Sequence, residues 1–206
     1  MNDILETLKK IEKELTDNNS DPKLWMEYGI GNHLLGEFQK AVESFHKSLE
    51  IDSKNSSCHY NLANSLMELE RFNQAIHHFL EAIELKPGHI PSLNNLADAY
   101  ELSGQPEKAH EIFHYLIHLN PEDPLSHFNL GNFFLRNDQH VEAAKCYEKT
   151  LLLDDQFADA YYNIAWILKK VNAPKEAIHY INEGLSADPD HNDLKKLKIE
   201  LIAEEN

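Results

Sequence analysis

The sequence has little of what secreted and membrane proteins need. It contains two cysteines, Cys58 and Cys146, and no stretch approaches the roughly 18 apolar residues of a membrane-spanning helix. The segment 1–15 has neither the apolar central run nor the small-residue cleavage site of a secretion signal. We therefore expect a cytoplasmic protein without membrane insertion, in which both cysteines are unpaired packing residues.

Glycine is scarce, and its distribution argues against catalysis. The seven glycines are scattered along the chain, whereas a loop that cradles phosphate groups needs several of them together. No motif of the nucleophile-elbow type is present. The carboxylates and histidines do not converge on a recognisable acid–base pair. We expect no enzyme activity, no catalytic residue and no cofactor.

Positive charge is also in short supply. There are 19 lysines and arginines against 35 aspartates and glutamates, which gives a formal net charge of −16 at pH 7. Binding to nucleic acids and to anionic lipids depends on neutralising phosphate groups. Those partners are therefore not expected, and a protein or peptide partner is favoured.

An internal repeat is the most informative feature that the sequence does have. An alanine recurs every 34 residues, at Ala41, Ala75, Ala109, Ala143 and Ala177. If Pro22 is position 1 of the first unit, then the later units begin at residues 56, 90, 124 and 158. This period indicates a stack of similar modules, in which each module contacts its neighbours.

Two further positions of the repeat have side chains of a constant size, one small and the other large. Position 8 is always small: Gly29, Ala63, Ala97, Gly131 and Ala165. Position 24 is always large and apolar: Phe45, Phe79, Phe113, Tyr147 and Ile181. Small residues at position 8 and at the shared alanine let two backbones approach closely, and the large residues fill the space around that contact. Each unit is therefore predicted to be a helical hairpin.

The helix boundaries follow from periodicity and from proline. In the third unit, Leu93, Leu96, Ala97 and Tyr100 have helical spacing, and the same spacing resumes at Ala109 after a break at residues 103–105. Pro106 and Pro174 stand at the first position of a second helix, where no N–H is needed. All eight prolines lie at predicted helix edges, so none of them interrupts a helix.

These columns resemble the tetratricopeptide repeat family. The resemblance implies an all-α fold, a right-handed α-solenoid of five tandem helix-turn-helix repeats with one extra helix at each end, which together form a single domain over 1–206. The predicted segments are an amino-terminal helix at 3–16, repeats at 22–55, 56–89, 90–123, 124–157 and 158–190, and a carboxyl-terminal capping helix at 191–204. Departures at Asp138, Thr150, Asp155, Ile181 and Gly184 are expected to weaken helix packing in the last two repeats.

The two terminal helices are predicted to cover the ends of the stack. The amino-terminal helix carries an apolar stripe: Ile4, Leu5, Leu8, Ile11 and Leu15. The carboxyl-terminal helix carries a thinner one: Leu194, Leu197 and Leu201. Terminal repeats need such caps. An alternative for the amino-terminal helix is that it occupies the protein's own groove or pairs with a second copy.

The family resemblance implies a concave groove lined by the first helix of each repeat. Position 6 of that helix holds four asparagines in register: Asn61, Asn95, Asn129 and Asn163. An asparagine offers both a donor and an acceptor, so a row of them can pair with successive peptide groups of an extended chain. The row is similar to the asparagine ladder in the tetratricopeptide superhelix of O-linked N-acetylglucosamine transferases, although nothing here resembles their catalytic region. The alternative is that these asparagines are solvated or bonded to the neighbouring helix.

Other groove positions add aromatic and charged groups. The remaining residues predicted to contact a peptide are Tyr60, Asn64, Asn94, Asp98, Phe128, Asn132, Arg136, Tyr162 and Trp166. Acidic residues at positions 12 and 13 lie in the middle of the groove, and Arg136, Lys169 and Lys170 make its carboxyl-side end basic. This pattern favours an extended ligand with a basic or neutral centre and an acidic or apolar end. Trp166 has a second interpretation, in which it packs beneath the capping helix.

A chaperone-binding clamp is disfavoured. That specialisation of the family holds an acidic carboxyl terminus with lysine, arginine and asparagine at fixed positions. Starting at the second repeat, Asn64 and Asn95 match, but Tyr60, Leu125 and Asn129 occupy the places of the cations.

Histidine is the one residue type that suggests a metal. His110, His114 and His118 are spaced four apart on one predicted helix, and a pair with this spacing can bind a transition metal. No cysteine or carboxylate completes the cluster, so we expect no metal site.

The sequence thus favours a non-enzymatic adaptor that holds an extended peptide of a partner protein in its groove. A self-assembling structural protein, associated through its amino-terminal helix, remains the alternative.

Overall fold

In this computed structural model, residues 2–204 are described, and they form helices joined by short turns without any strand. The helices of this part of the chain are α1 (Asn2–Asp17), α2 (Pro22–Leu34), α3 (Phe38–Ile51), α4 (Ser56–Glu68), α5 (Phe72–Leu85), α6 (Ile90–Leu102), α7 (Pro106–Leu119), α8 (Pro124–Arg136), α9 (His140–Leu153), α10 (Ala158–Lys170), α11 (Pro174–Ala187) and α12 (Asn192–Glu204). The predicted all-α class is confirmed.

The helices fall into two compact units, which divide within α7 after Ile112. The first unit holds α1 to α6 and the start of α7, and the second holds the rest of α7 and α8 to α12. Each predicted repeat contains two helices, but the continuity of all five repeats in one domain stays a prediction.

The close contact predicted between position 8 and position 24 is present in both units. A Cβ atom added to Gly29 would lie 2.6 Å from Cε1 of Phe45, and one added to Gly131 would lie 2.6 Å from Cε1 of Tyr147. Neither Phe45 nor Tyr147 is accessible to solvent. In the first and fourth repeats, the backbone of the first helix therefore packs directly against an aromatic ring of the second.

The turn between the two helices of a repeat has the same backbone conformation every time. Position 15 has a positive φ in all five repeats, at Gly36, Glu70, Gly104, Asp138 and Asn172. This left-handed conformation favours glycine, and only two of the five residues are glycines. The same left-handed turn therefore forms at Glu70, Asp138 and Asn172 without a glycine.

The departure at Thr150 does not leave a polar group without a partner. Its hydroxyl is buried, and its one hydrogen is shared between the carbonyl oxygens of Cys146 at 3.0 Å and of Pro124 at 3.3 Å. Ser48, at the same position of the first repeat, likewise donates to the carbonyl oxygen of Pro22 at 2.7 Å. These bonds tie a second helix to the start of its own first helix, so the expected weakening at Thr150 is offset.

Both terminal helices cover apolar surface in their units. Leu8, Ile11 and Leu15 of α1 are buried, and Leu8 lies over Gly31 of α2, where an added Cβ would be 2.6 Å from Cδ2 of Leu8. Leu5, which the stripe includes, is instead exposed. At the other end, Leu194, Leu197 and Leu201 of α12 are buried in a cluster with residues of α10 and α11.

Both cysteines are free, as expected. Burial raises the pKa of each thiol to about 11, so both stay protonated at neutral pH.

We expect Gly131→Ala to destabilise the protein by about 1–3 kcal/mol, because the ring of Tyr147 cannot move away from an added methyl group. Its hydroxyl is held by a 2.9 Å hydrogen bond to Oδ1 of Asn132. Helix propensity alone predicts the opposite sign, a gain of about 1 kcal/mol. Urea unfolding followed by circular dichroism measures the change.

Gly29→Ala is the matched control, since the facing Phe45 has no hydroxyl to anchor its ring. The added substitution Tyr147→Phe should recover part of the loss in the Gly131→Ala background. Equal effects of the two glycine substitutions, without any recovery, would rule out anchoring of the ring.

Candidate functional site

The residues predicted to contact a peptide lie on first helices in both units. In the first unit they are Tyr60, Asn61 and Asn64 on α4 and Asn94, Asn95 and Asp98 on α6, and we call this set the unit-1 face. In the second unit they are Phe128, Asn129, Asn132 and Arg136 on α8 and Tyr162, Asn163 and Trp166 on α10, the unit-2 face. All are half-buried except Arg136, which is exposed.

Asparagines of adjacent first helices bond to one another in each unit. Nδ2 of Asn95 donates to Oδ1 of Asn64 at 2.7 Å, and Nδ2 of Asn163 donates to Oδ1 of Asn132 at 3.2 Å. In both pairs, position 6 of one repeat donates to position 9 of the repeat before it. The bonding to a neighbouring helix that the sequence left open as an alternative is therefore present in these two pairs.

The bonds between asparagines use only part of each side chain. A carboxamide has two N–H groups and an oxygen with two lone pairs. Nδ2 of Asn95 also lies 3.4 Å from the hydroxyl oxygen of Tyr60, a long contact, and none of these bonds uses Oδ1 of Asn95 or Oδ1 of Asn163. Both donating asparagines are thus fixed in orientation and keep an acceptor for a ligand.

Asn61 lacks the partner that Asn95 and Asn163 have. Position 9 of the preceding repeat is Ile30, whose side chain cannot accept a hydrogen bond. No hydrogen bond from the carboxamide of Asn61 is present among the described residues, and this carboxamide borders a cavity of about 200 Å³ together with Tyr60, Lys86 and His89. Reading positions 6 and 9 of neighbouring repeats together would have revealed this difference from the sequence.

The predicted aromatic anchors are partly engaged in packing. The centroid of the Tyr60 ring lies 5.3 Å from that of His89, with the two rings edge to face, and 6.1 Å from that of Phe79. The ring of Phe128 lies 4.7 Å from Phe157. These rings shape the two faces and leave only part of each side chain for a ligand.

The polar residues Asn94, Asp98, Asn129 and Arg136 interact with other protein groups. The structure therefore does not present the four position-6 asparagines as an equivalent row of unpartnered side chains.

The carboxyl-side end of the unit-2 face is a pocket of about 430 Å³ between α10 and α12. Its lining is Tyr162, Trp166, Lys169, Lys170, Asp193, Lys196, Leu197 and Glu200. Trp166 also packs against the apolar cluster beneath α12. The two interpretations of Trp166 are therefore compatible, since its ring both supports the capping helix and borders an open pocket.

The first unit contains a cluster of histidines that the sequence pattern does not predict. It consists of His46 on α3, His59 on α4, and His77 and His78 on α5. Nδ1 of His59 and Nδ1 of His78 are 3.1 Å apart, and Nε2 of His59 is 3.1 Å from the carbonyl oxygen of Ser53. A carbonyl oxygen only accepts, so Nε2 of His59 carries a hydrogen, and Nδ1 of a neutral His59 accepts from Nδ1–H of His78.

This arrangement disfavours protonation of His78. Its burial, together with the neighbouring imidazoles of His59, His77 and His46, lowers the pKa of His78 to about 4. The periodicity of single helices could not reveal the cluster, because its members come from three helices.

The absence of a metal site was predicted because no cysteine or carboxylate completes the cluster of three histidines. The three histidines with spacing four lie on α7, where His110 is half-buried and His114 and His118 are exposed. Among residues 2–204 no group of three or more histidines, cysteines or carboxylates is arranged to hold a metal ion.

No helix in the described part of the chain is long and apolar enough to cross a bilayer.

Comparison with known proteins identifies the family. Models of the tetratricopeptide repeat match residues 56–89, 78–111, 126–161 and 158–191, which together cover more than half of the chain. The chain belongs to the tetratricopeptide repeat family. The predicted helical solenoid of tandem repeats is thereby confirmed.

Relatives of this tetratricopeptide repeat protein are longer than the chain itself. It is 32% identical over 157 residues to human protein O-mannosyl-transferase TMTC3, a match that covers 74% of this chain and 17% of the human protein. It is 26% identical over 168 residues to anaphase-promoting complex subunit 6 of Arabidopsis thaliana, covering 79% of this chain and 31% of that subunit. The chain therefore spans less than a third of the length of either relative.

Among solved structures, it is similar in fold to YrrB, described as a tetratricopeptide repeat protein with an unusual peptide-binding site. The TM-score is 0.61 at 20% identity, and the match covers 91% of this chain and 97% of YrrB.

The histidine cluster predicts that acid destabilises the first unit. The folded-state pKa of His78 is lowered from 6.5 to about 4, so the unfolded chain binds a proton more readily in this interval. Above pH 6.5 this group contributes no pH dependence. Stability should fall as the pH drops from about 6.5 to about 4, and unfolding midpoints in urea at several pH values measure the slope.

His78→Asn keeps an N–H donor but cannot titrate, and we expect it to flatten the slope. His118→Asn removes an exposed histidine of α7 as the control and should leave the slope unchanged. Identical slopes for wild type and His78→Asn would show that the cluster does not control the pH dependence.

Proposed function

We propose that the protein is a non-enzymatic interaction scaffold that binds an extended peptide segment of a partner protein along the first-helix faces of its repeats. The observation that carries this proposal is the set of half-buried carboxamides on those faces, of which Asn95 and Asn163 are held in place by bonds to the preceding repeat.

Fixing the carboxamides favours binding in two ways. Each retained acceptor can pair with an N–H group of an extended peptide, whatever the peptide's side chains are. Because the side chains are already ordered, less rotamer entropy is lost when the peptide binds. A peptide bound in this way gains affinity from its backbone, and the side chains around the faces supply specificity.

Asn61 is the asparagine best suited to direct contact. Its carboxamide can offer both a donor and an acceptor to a single peptide group, since Ile30 uses neither of them. The neighbouring cavity of about 200 Å³ has room for a small side chain of the peptide beside Tyr60 and His89.

The comparisons support the class of function. Anaphase-promoting complex subunit 6 is by its name part of a protein assembly, and YrrB is described as having a peptide-binding site. The transferase named among the relatives is much longer than the matched part. Since the sequence offers no catalytic constellation, we assign this chain a binding role and not group transfer.

We expect Asn61→Ala to weaken peptide binding about 5- to 15-fold, which corresponds to one hydrogen-bonded group at about 1–1.5 kcal/mol. Peptides are first selected from a random phage-displayed library on the wild-type protein, then synthesised and titrated by fluorescence anisotropy. Asn73→Ala, an exposed asparagine on the second helix α5, is the matched control and should leave the affinity unchanged.

Asn61→Ala removes no hydrogen bond within the described part of the protein, and alanine has the higher helix propensity, so its unfolding midpoint should be no lower than that of wild type. If every selected peptide binds both variants and the wild type equally, then the first-helix face of unit 1 is not the binding site.

A second candidate function is self-association through the amino-terminal helix. An apolar cleft of about 370 Å³ lies between α1 and α2, and its lining includes Ile4, Leu8, Ile30 and Leu34. Leu34 is 64% exposed at its edge. A second copy could cover this surface.

Sedimentation velocity over a range of concentrations separates the two functions. Self-association predicts a dimer that Leu34→Glu disrupts, because this substitution places a charge in the cleft without removing a buried side chain. Exposed Leu152, 77% accessible on α9, provides the control Leu152→Glu. A monomer at all concentrations would exclude the second function and leave the first intact.

A further inference from the structure

The carboxyl-terminal helix adds a basic, aromatic pocket to the unit-2 face. The pocket between α10 and α12 combines three lysines with two carboxylates and has Trp166, Tyr162 and Leu197 as its apolar lining. The chain as a whole carries a formal charge of −16. The pocket therefore has a local excess of positive charge in an otherwise acidic protein. Helix α12 contributes to this charge through Lys196.

One lysine of the pocket is already paired, and the others are not. Nζ of Lys169 lies 2.9 Å from Oε2 of Glu200, and this ion pair holds the pKa of Glu200 below its usual range. Lys170 lies over the ring of Trp166, with Nζ 4.9 Å from the ring centroid. Neither Lys170 nor Lys196 forms an ion pair with any described residue, although the charge of Lys196 also helps to lower the pKa of Glu200. After the Lys169–Glu200 pair is set aside, two lysines face the single carboxylate of Asp193.

Tyr162 adds a neutral donor. Burial, followed by the nearby carboxylates of Asp193 and Glu200, raises the pKa of its phenol, which therefore stays protonated at neutral pH. Its ring is stacked on His191 at 6.1 Å, and Nε2 of His191 is 3.0 Å from Oδ1 of Asp159. The phenol is thus held in position at the wall of the pocket.

The geometry points to a subsite for a carboxylate of the partner peptide, with Lys170 and Lys196 contacting the carboxylate and Trp166 and Leu197 contacting an adjacent apolar side chain. This subsite rests on the proposed peptide-binding function and specifies one end of the ligand. The carboxylate comes either from an aspartate or glutamate side chain or from the carboxyl terminus of the peptide. Lys170 and Lys196 are both exposed, so the attraction between the opposite charges acts in the presence of water and is screened by salt.

The subsite differs from the chaperone-binding clamp that the sequence disfavours. That clamp draws on first-helix positions of three successive repeats, and Tyr60, Leu125 and Asn129 occupy the places of its cations. Here the charges come from the end of α10 and from α12, which lies outside the repeats.

Short peptides test the subsite directly. The probes are the tetrapeptide Asn-Glu-Phe-Asn, acetylated and amidated, its glutamine counterpart Asn-Gln-Phe-Asn with the same blocking groups, and the glutamine peptide with a free carboxyl terminus. Nitrogen-15 spectra follow the indole N–H signals of the two tryptophans during each titration. Trp25 lies on α2, where its Nε1 donates to the carbonyl oxygen of Asn19, and it serves as the internal control.

We expect the glutamate peptide, the free-acid peptide or both to shift the Trp166 signal with at least tenfold higher affinity than the blocked glutamine peptide. The peptide that binds more tightly identifies the source of the carboxylate. Lys170→Gln and Lys196→Gln should each reduce this preference at least threefold, and added salt should weaken it. Lys175→Gln changes the net charge equally at an exposed site on α11 and should leave the preference intact.

Two results would overturn the subsite. One is equal affinity of all three peptides for the Trp166 site. The other is an equal loss of preference in Lys175→Gln, which would show attraction to overall charge and no specific contact. Either failure leaves the Asn61-dependent binding of library-selected peptides untouched, so the subsite and the proposed function are tested separately.

Discussion

The contact between the bare backbone of a glycine and an aromatic ring organises the first and fourth repeats. Where position 8 is glycine, the ring of Phe45 or Tyr147 lies in the space that a Cβ atom would fill. The two helices of these hairpins are held at a distance that the ring determines. A left-handed residue at position 15 joins the two helices in all five repeats, including at Glu70 and Asp138. Within each unit, neighbouring first helices lie side by side, as the hydrogen bonds between their asparagines show.

The register of first helices produces the candidate site. Because position 6 of one repeat lies beside position 9 of the preceding one, Asn95 meets Asn64 and Asn163 meets Asn132 at hydrogen-bonding distance. Tyr147 takes part both in the packing of the hairpin and in the hydrogen bonds on its surface, since its ring packs on Gly131 and its hydroxyl donates to Asn132. Packing inside the hairpin thus orients the polar groups on its surface, and a substitution at the contact is expected to disturb both.

Much of the fold could be predicted from the sequence, because a repeat shows each structural requirement several times. The alanine column, the small residues at position 8 and the prolines together predicted the helices and their close contact. The site was less predictable. The row of four asparagines is visible in the sequence, but the difference between Asn61 and Asn95 depends on which residue the neighbouring helix places opposite.

Other features depend on contacts between helices that no single-helix pattern encodes. The histidine pair of His59 and His78 joins two helices and involves the carbonyl oxygen of Ser53 as well. The pocket beside Trp166 needs α12 to bring Lys196 towards Lys170. In the sequence these residues belong to separate elements, and only packing brings them to one place.

The most direct test of the central claim is to observe whether a bound peptide touches the carboxamide of Asn61. Intermolecular nuclear Overhauser effects between the backbone amide protons of a library-selected peptide and the side-chain amide protons of Asn61 measure this contact. We expect such effects at Asn61 and none at Asn73 of α5. Effects confined to residues of second helices, with none at Asn61, would contradict peptide binding on the first-helix face of unit 1.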